Sequence, residues 1–317
     1  MYTVIVSEFM DEVGLQLLRE TPGLTLHYDP ELGRNRAGLL EALPGADALI
    51  VRNQTQVDAE LLAAALALKV VGRLGVGLDN INQPALKERG IKLVVPLGAN
   101  ANAVAEWTLG AMLGLARRFY PATVSTAGGQ WQRTVFGGEE LAGQTLGLVG
   151  FGDIARRVAR RALAFEMKLA TYDPYLNPAV LAEWGASLTR YDKLEDMLPA
   201  SHFVSLHVPL TEETRNLLNA GRLALLPKGA FVINSARGGL VDETALLQAL
   251  QPGQLGGAAL DVREKEPPGQ PDPFSRPDLN VLLTPHIAGL TGEAQHRISL
   301  EVAQSVRDFL ITAPKQR

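Results

Sequence analysis

Two doubly wound parallel β-sheets, each covered by helices on both faces, are the architecture this sequence predicts. Three observations predict it. Short runs rich in Val, Ile and Leu alternate with longer helical patterns along most of the chain. Within those runs apolar residues are consecutive rather than alternate, as in strands buried on both faces. The chain has 317 residues, and at roughly 100–200 residues per domain that suggests two domains.

The first series of strand patterns covers residues 3–6, 24–27, 48–51, 70–74 and 92–94. A long helical pattern follows over 101–117, then a Gly-rich stretch near 128–143. The second series covers 145–149, 169–172, 203–206, 230–233, 257–260 and 281–283, with helical patterns at 154–165 and 243–250. Strand–helix alternation of this kind gives parallel sheets. The tail, 291–310, is helical with no strand after it. It is expected to return to the first series, which makes the second series an insertion. The expected domains are 1–98 with 290–317, and 99–289.

Composition removes several function classes. Charged residues are 20% and apolar residues 46%, a balance that excludes disordered and collagen-like chains. There is no cysteine, hence no disulfide, cysteine zinc site or iron–sulfur cluster. The net charge of −4 and pI near 5.8 leave no basic footprint for nucleic acid. No run reaches the ~18 apolar residues of a membrane span, and the first residues lack signal-peptide character. A cytoplasmic location is expected.

Gly147-Leu-Val-Gly150-Phe-Gly152-Asp153-Ile154-Ala155 follows a buried strand pattern and opens a helix. Gly150, Gly152 and Ala155 fit G-x-G-x-x-G/A: a tight turn, close approach of a pyrophosphate, and close helix–strand packing. The helix N-terminus adds free N–H groups for the phosphates. Asp173 ends the next strand pattern, eighteen residues after Ala155. There it can accept both ribose hydroxyls of NAD and repel a 2′-phosphate. The glycines alone are only a turn signal; strand, helix and Asp173 together make them a dinucleotide site. Asp153 is unfavourable beside a pyrophosphate and is expected to turn away and cap the helix.

Three later segments each put a polar residue just past a strand pattern: Arg237, Glu266 and His286. In an open parallel sheet these strand ends face one crevice. Arg237 can hold a carboxylate bidentately and polarise the neighbouring carbonyl. His286 can supply a proton as hydride arrives, with Glu266 orienting its other ring nitrogen. Singly they read as a surface arginine, a solvated glutamate and a structural histidine. Together, after a dinucleotide motif, they read as a carbonyl-reduction site. No P-loop, zincin or nucleophile-elbow motif is present, and no metal is expected.

On these residues the chain resembles the D-isomer-specific 2-hydroxyacid dehydrogenase family. The matching stretches are 72–80, 150–155, 172–175, 207–214, 234–239, 261–267 and 285–289. The resemblance implies two Rossmann-like domains, the nucleotide-binding one inserted into the substrate-binding one, with NAD as cofactor. It makes Arg237, Glu266 and His286 the catalytic set. Backbone at Asp153 and Ile154 would bind pyrophosphate, and Asp173 the adenosine ribose. Val208, Pro209 and Thr214 would border the adenine; Ser235, Asp261 and Gly289 would approach the nicotinamide. Val76 and Gly77 would offer N–H groups to the substrate carboxylate. It also implies a homodimer built on 101–117 and the Gly-rich stretch. Ala105, Trp107, Leu109, Met112, Leu113 and Leu115 lie on more than one face of that helix, which fits cover from several sides. Formate-type relatives carry Gln at the place of Glu266, and the longer phosphoglycerate dehydrogenases carry an appended regulatory domain.

For the substrate, Arg52 follows Ala-Leu-Ile-Val and Arg73 ends Val-Val-Gly-Arg. Either can bind a second anion, or make a structural ion pair; Arg133 beside Trp131 is a weaker candidate. Residues 7–12 and 71–82 are similar to those of bacterial sulfolactate dehydrogenases, which makes 3-sulfolactate and 3-sulfopyruvate the first substrate pair. 3-Phosphoglycerate, glycerate, hydroxypyruvate and glyoxylate stay open. An NAD-sensing, corepressor-like module on the same fold is the alternative; the intact Arg237, Glu266 and His286 favour an enzyme.

Overall fold

The structure is a computed structural model that describes residues 1–251, 253–276 and 278–312. The chain divides into two compact units: Met1–Asn100 with the segment from Leu290 onward, and Ala101–Gly289. The last five residues of the expected first domain, 313–317, lie outside the described residues.

In the first unit, β1 (Tyr2–Val6), β2 (Leu24–Tyr28), β3 (Ala48–Val51), β4 (Val70–Arg73) and β5 (Lys92–Val94) form a parallel sheet in the order β2-β1-β3-β4-β5. Alternate side chains face opposite cores. Val4, Val6, Ala48, Ile50 and Val70 pack against α1 (Glu12–Arg19) and the C-terminal helix Gly292–Thr312, through Leu15, Leu18, Ile298, Val302 and Val306. Ile5, Leu49, Val51 and Val71 pack on the other face against α2 (Arg36–Ala42), α3 (Ala59–Ala64) and α4 (Gln83–Glu88), through Leu39, Leu61, Leu62 and Leu86. The tail thus does return to the first series, because its Ile and Val stripe covers one face of that sheet.

In the second unit α5 (Ala101–Ala116) and α6 (Phe119–Ala127) precede seven parallel strands. These are β6 (Thr145–Val149), β7 (Lys168–Tyr172), β8 (Leu188–Tyr191), β9 (Phe203–Leu206), β10 (Ala230–Asn234), β11 (Leu255–Leu260) and β12 (Val281–Leu283), in the order β12-β11-β10-β9-β6-β7-β8. α7 (Asp153–Ala164) and α8 (Pro178–Trp184) join α5 on one face. α9 (Leu194–Met197), α10 (Ala220–Leu223) and α11 (Glu243–Leu250) cover the other. The strand order reverses between β6 and β9, so the crevice for a ligand opens at the carboxyl ends of those two strands.

One expectation needs correction. β8 was not foreseen: it is an edge strand, and of its four residues only Leu188 is buried, so it lacks the apolar run of a central strand. Within α5, Ala105, Leu109, Met112 and Leu115 pack with residues of β6, β10, β11 and α7, while Trp107 and Leu113 are only partly buried. The exposed apolar side chains lie just after it, at Phe119, Tyr120, Val124, Trp131 and Val135.

Candidate active site

β6 ends at the glycine turn. Gly150 has φ +83°, and a Cβ there would sit 2.7 Å from the His207 carbonyl oxygen and 2.8 Å from Val208 Cγ1. The turn therefore needs glycine both for its backbone angle and for the approach of β9's end. α7 starts on Gly152 with no side-chain cap. By contrast α1, α2, α3, α4, α8, α10 and α11 each start on an Asp or Asn whose side chain accepts a helix N–H. Asp153 is not the cap that was expected. It is the first helical residue, ion-paired with Arg157 one turn on at 3.2 Å. A carboxylate there suits the helix dipole, and Arg157 takes up its charge.

Asp173 lies just past β7. Its Oδ2 accepts the Phe151 N–H at 2.8 Å and its Oδ1 the Tyr175 N–H at 2.9 Å. The carboxylate is thereby fixed beside the glycine turn. Thr214 closes the 209–214 loop by donating its hydroxyl to the Pro209 carbonyl at 2.7 Å. Ser235 Oγ is buried without a hydrogen-bond partner among the described residues. An uncapped helix N-terminus, a glycine cradle, an anchored Asp173 and an orphaned hydroxyl along one set of strand ends fit a dinucleotide.

The three expected catalytic side chains follow β10, β11 and β12, adjacent strands in the order above. His286 Nδ1 is 2.8 Å from Glu266 Oε2. The other carboxylate oxygen, Oε1, accepts the Arg263 N–H at 3.0 Å, so Glu266 cannot swing freely. Asn234 fixes the turn that carries Arg237: its Oδ1 accepts the Ala236 N–H and its Nδ2 donates to the Arg237 carbonyl at 2.7 Å. Gly238 lets the two loops meet. A Cβ there would fall 1.9 Å from the Arg263 carbonyl, which no side chain could accommodate.

Two buried charged groups hold this arrangement, Asp261 in a role the sequence did not show and Arg263 with partners it did not mark. Asp261, 1% exposed, accepts the Thr284 hydroxyl at 2.5 Å and the N–H groups of Ile287 and Ala288 at 2.8 Å each. These residues flank His286, whose φ is +57°. The family pattern offered Asp261 only as a nicotinamide neighbour. Arg263, with its side chain 9% exposed, pairs with Glu243 at 2.8 Å and Asp272 at 2.5 Å. Its guanidinium lies 4.8 Å from the centre of the Phe274 ring. Burial opposes its charge, but Glu243 and Asp272 outweigh burial and raise its pKa. Glu243 and Asp272 lie far from Arg263 in sequence or in an irregular loop, so no spacing signal marks them.

In the first unit Arg52 follows β3. Its guanidinium lies 5.9 Å from the Phe9 ring centre and makes no hydrogen bond among the described residues. Burial lowers its pKa, with Glu8 partly opposing the shift. Arg73 ends β4 and is 7% exposed. Its guanidinium folds back over Gly75, beside half-buried Val76 and Gly77.

His207, next to the glycine turn, shares a 2.9 Å hydrogen bond with Ser205 Oγ. Burial pushes its imidazole down to about 4. It is neutral in the folded protein, whereas an unfolded chain takes up its proton near 6.5. Between those values the unfolded state binds more protons, so stability falls as pH drops from 6.5 to about 4, by roughly 1–3 kcal/mol. Urea unfolding at pH 7 and 5 should show this loss in the native protein and a smaller one in His207→Gln. Equal losses would acquit His207.

A family model described as the D-isomer specific 2-hydroxyacid dehydrogenase, NAD binding domain, matches residues 109–288. The (S)-sulfolactate dehydrogenase of Chromohalobacter salexigens is 44% identical, across 98% of this chain and 99% of its own. The hydroxypyruvate reductase of Thermotoga maritima is 41% identical, across 96% and 97%. A crystal structure of D-lactate dehydrogenase from Aquifex aeolicus, complexed with NAD and lactic acid, superposes with a TM-score of 0.83 at 29% identity, covering 98% of this chain and 96% of that one. The chain belongs to the D-isomer-specific 2-hydroxyacid dehydrogenases and is an NAD-dependent oxidoreductase.

Proposed function

We propose that this enzyme interconverts a D-type 2-hydroxy acid bearing a second anionic group with its 2-oxo acid, 3-sulfolactate and 3-sulfopyruvate being the first pair. The observation that carries the catalytic assignment is the 2.8 Å pair between His286 Nδ1 and Glu266. NAD supplies the hydride carrier. In the reducing direction Arg237 holds the substrate carboxylate and polarises the adjacent carbonyl. His286 gives the proton from its Nε2 to the carbonyl oxygen as the carbon takes hydride. Glu266 keeps the ring oriented through its contact with Nδ1. The similarity to an (S)-sulfolactate dehydrogenase supports the substrate. The stereochemistry agrees, because the sulfur-bearing arm outranks the carboxylate and a D-arranged sulfolactate carries the S label. Arg52 and Arg73 are the candidate holders of the second anion, with Val76 and Gly77 N–H groups on the common carboxylate. The test is NADH oxidation against 3-sulfopyruvate, 3-phosphohydroxypyruvate, hydroxypyruvate and glyoxylate. A preference for glyoxylate or hydroxypyruvate over both dianions, or no turnover of any of the four, would overturn the substrate reading.

Asp173 sets the expected cofactor preference, since its carboxylate repels a 2′-phosphate. NADH should serve far better than NADPH, and Asp173→Ala should narrow that ratio. Equal activity of the native enzyme with both would contradict the role.

A second copy of this chain is the proposed cover for Phe119, Tyr120, Val124, Trp131 and Val135, of which Trp131 is 80% exposed. So many large apolar side chains on one short segment mark an interface. Sedimentation should show a dimer at micromolar concentration, and a stable monomer would exclude it. Among the described residues no helix is long and apolar enough to cross a membrane.

A further inference from the structure

The first sheet also has a reversal of strand order, between β1 and β3. That is the place where open α/β sheets take ligands. Here the protein fills it with its own anion. Glu8, two residues past β1 and 3% exposed, receives four successive backbone N–H groups from the segment after β3. Arg52 and Thr55 donate to Oε1 at 2.8 and 3.0 Å; Asn53 and Gln54 donate to Oε2 at 3.2 and 3.0 Å. Such a ring of amides is a ready anion cradle. Asn80 ties the segment from its other side, its Nδ2 donating to the carbonyls of Arg52 at 3.1 Å and Thr55 at 2.6 Å. Asn80 follows the 76–77 pair, so it joins the two segments of this unit that carry the proposed substrate groups. Burial works to raise the Glu8 pKa, but the N–H groups of Thr55, Gln54 and Arg52 and the Thr55 hydroxyl outweigh it and hold it below 4.5. The carboxylate is charged at neutral pH, while the Arg52 guanidinium close by makes no hydrogen bond among the described residues.

We infer that Glu8 is a positioning residue for substrate selectivity: by gathering the N–H groups of residues 52–55 on one buried carboxylate, it sets the segment from which Arg52 reaches the substrate's second anion. This rests on the reading of Arg52 given above. The division of labour is chemical. Glu8 neutralises backbone dipoles rather than the arginine's donors, so the guanidinium fork stays available for a sulfonate or phosphate oxygen pair. An arginine placed by a flexible loop would lose much of that benefit to ordering entropy.

The experiment compares the native enzyme with Glu8→Gln and Arg52→Ala. Each is assayed with NADH against glyoxylate and against whichever of 3-sulfopyruvate and 3-phosphohydroxypyruvate has the lower KM. An amide in place of the carboxylate cannot accept all four N–H groups. Glu8→Gln should raise the ratio of dianion KM to glyoxylate KM about tenfold or more, with the loss in KM rather than kcat. Hydrogen exchange of a peptide spanning 52–55 should quicken in the same variant. If Arg52→Ala leaves the ratio unmoved, or neither dianion is turned over, the reading of Arg52 fails and the inference with it. If Arg52→Ala moves the ratio and Glu8→Gln does not, Glu8 only supports the fold and the inference alone fails. Should Glu8→Gln not fold, Asn80→Ala is read by the same criteria, because it removes the two bonds to the Arg52 and Thr55 carbonyls and leaves the carboxylate in place.

Discussion

Turnover should fall roughly 10²–10⁴-fold in His286→Ala, the usual scale for a lost general acid, while NADH binding persists. The reason is the coupling of three groups. Glu266 holds Nδ1 at 2.8 Å, and the Arg263 N–H holds Glu266 at 3.0 Å. The imidazole therefore has one nitrogen committed and one left for the reacting oxygen. Removing the ring removes the proton donor but leaves the glycine turn and Asp173 untouched. Steady-state kinetics with whichever 2-oxo acid the native enzyme turns over best and a fluorescence titration with NADH separate these effects. Near-native turnover in the variant would take His286 out of the mechanism, and loss of NADH binding would make its role structural.

Asp261→Ala should cost about 3–5 kcal/mol of stability and lower turnover by roughly 10²-fold. Its carboxylate is buried and accepts three donors. Alanine would leave the buried Ala288 N–H and the partly buried Ile287 N–H and Thr284 hydroxyl without this partner. The same three bonds anchor the backbone on either side of His286, whose own φ is in the left-handed region, which a non-glycine residue keeps only under constraint. Asp261→Asn keeps one carbonyl oxygen and should fall between native and alanine in both measurements. Urea unfolding and kcat on the same preparations provide the check. An alanine variant of native stability would show that other contacts hold the 284–288 segment.

The central strands were legible in the sequence because each is apolar at successive positions, and both sheets bury both faces. The edge strand β8 was not, since Thr189 and Arg190 face solvent and carry no burial signal. That Arg237, Glu266 and His286 follow neighbouring strands could be read because a parallel sheet brings its strand ends together whatever their spacing in the chain. The groups that hold them could not. Asp261 acts through loop N–H groups and Arg263 through side-chain ion pairs with Glu243 and Asp272, and in the first unit Glu8 likewise gathers the N–H groups of residues 52–55. Loop hydrogen bonds leave no periodicity, and a carboxylate gathering N–H groups looks in sequence like any other acidic residue. Asp153 shows the same limit at finer grain: one residue's shift at a helix start decides whether a carboxylate caps the helix or pairs with Arg157 a turn later.

The return of the C-terminal helix to the first sheet has a consequence for the order of events during synthesis. Residues 1–100 leave the ribosome first, yet the face of their sheet formed by Val4, Val6, Ile50 and Val70 is closed by Ile298, Val302 and Val306. The intervening 101–289 segment carries a complete two-faced core of its own. At about 5–20 residues per second, the first hundred residues wait roughly 10–40 s for their missing helix. The segment made second is thus the first able to finish its core, while the part of the first sheet's apolar face that α1 does not cover stands open until the last helix arrives.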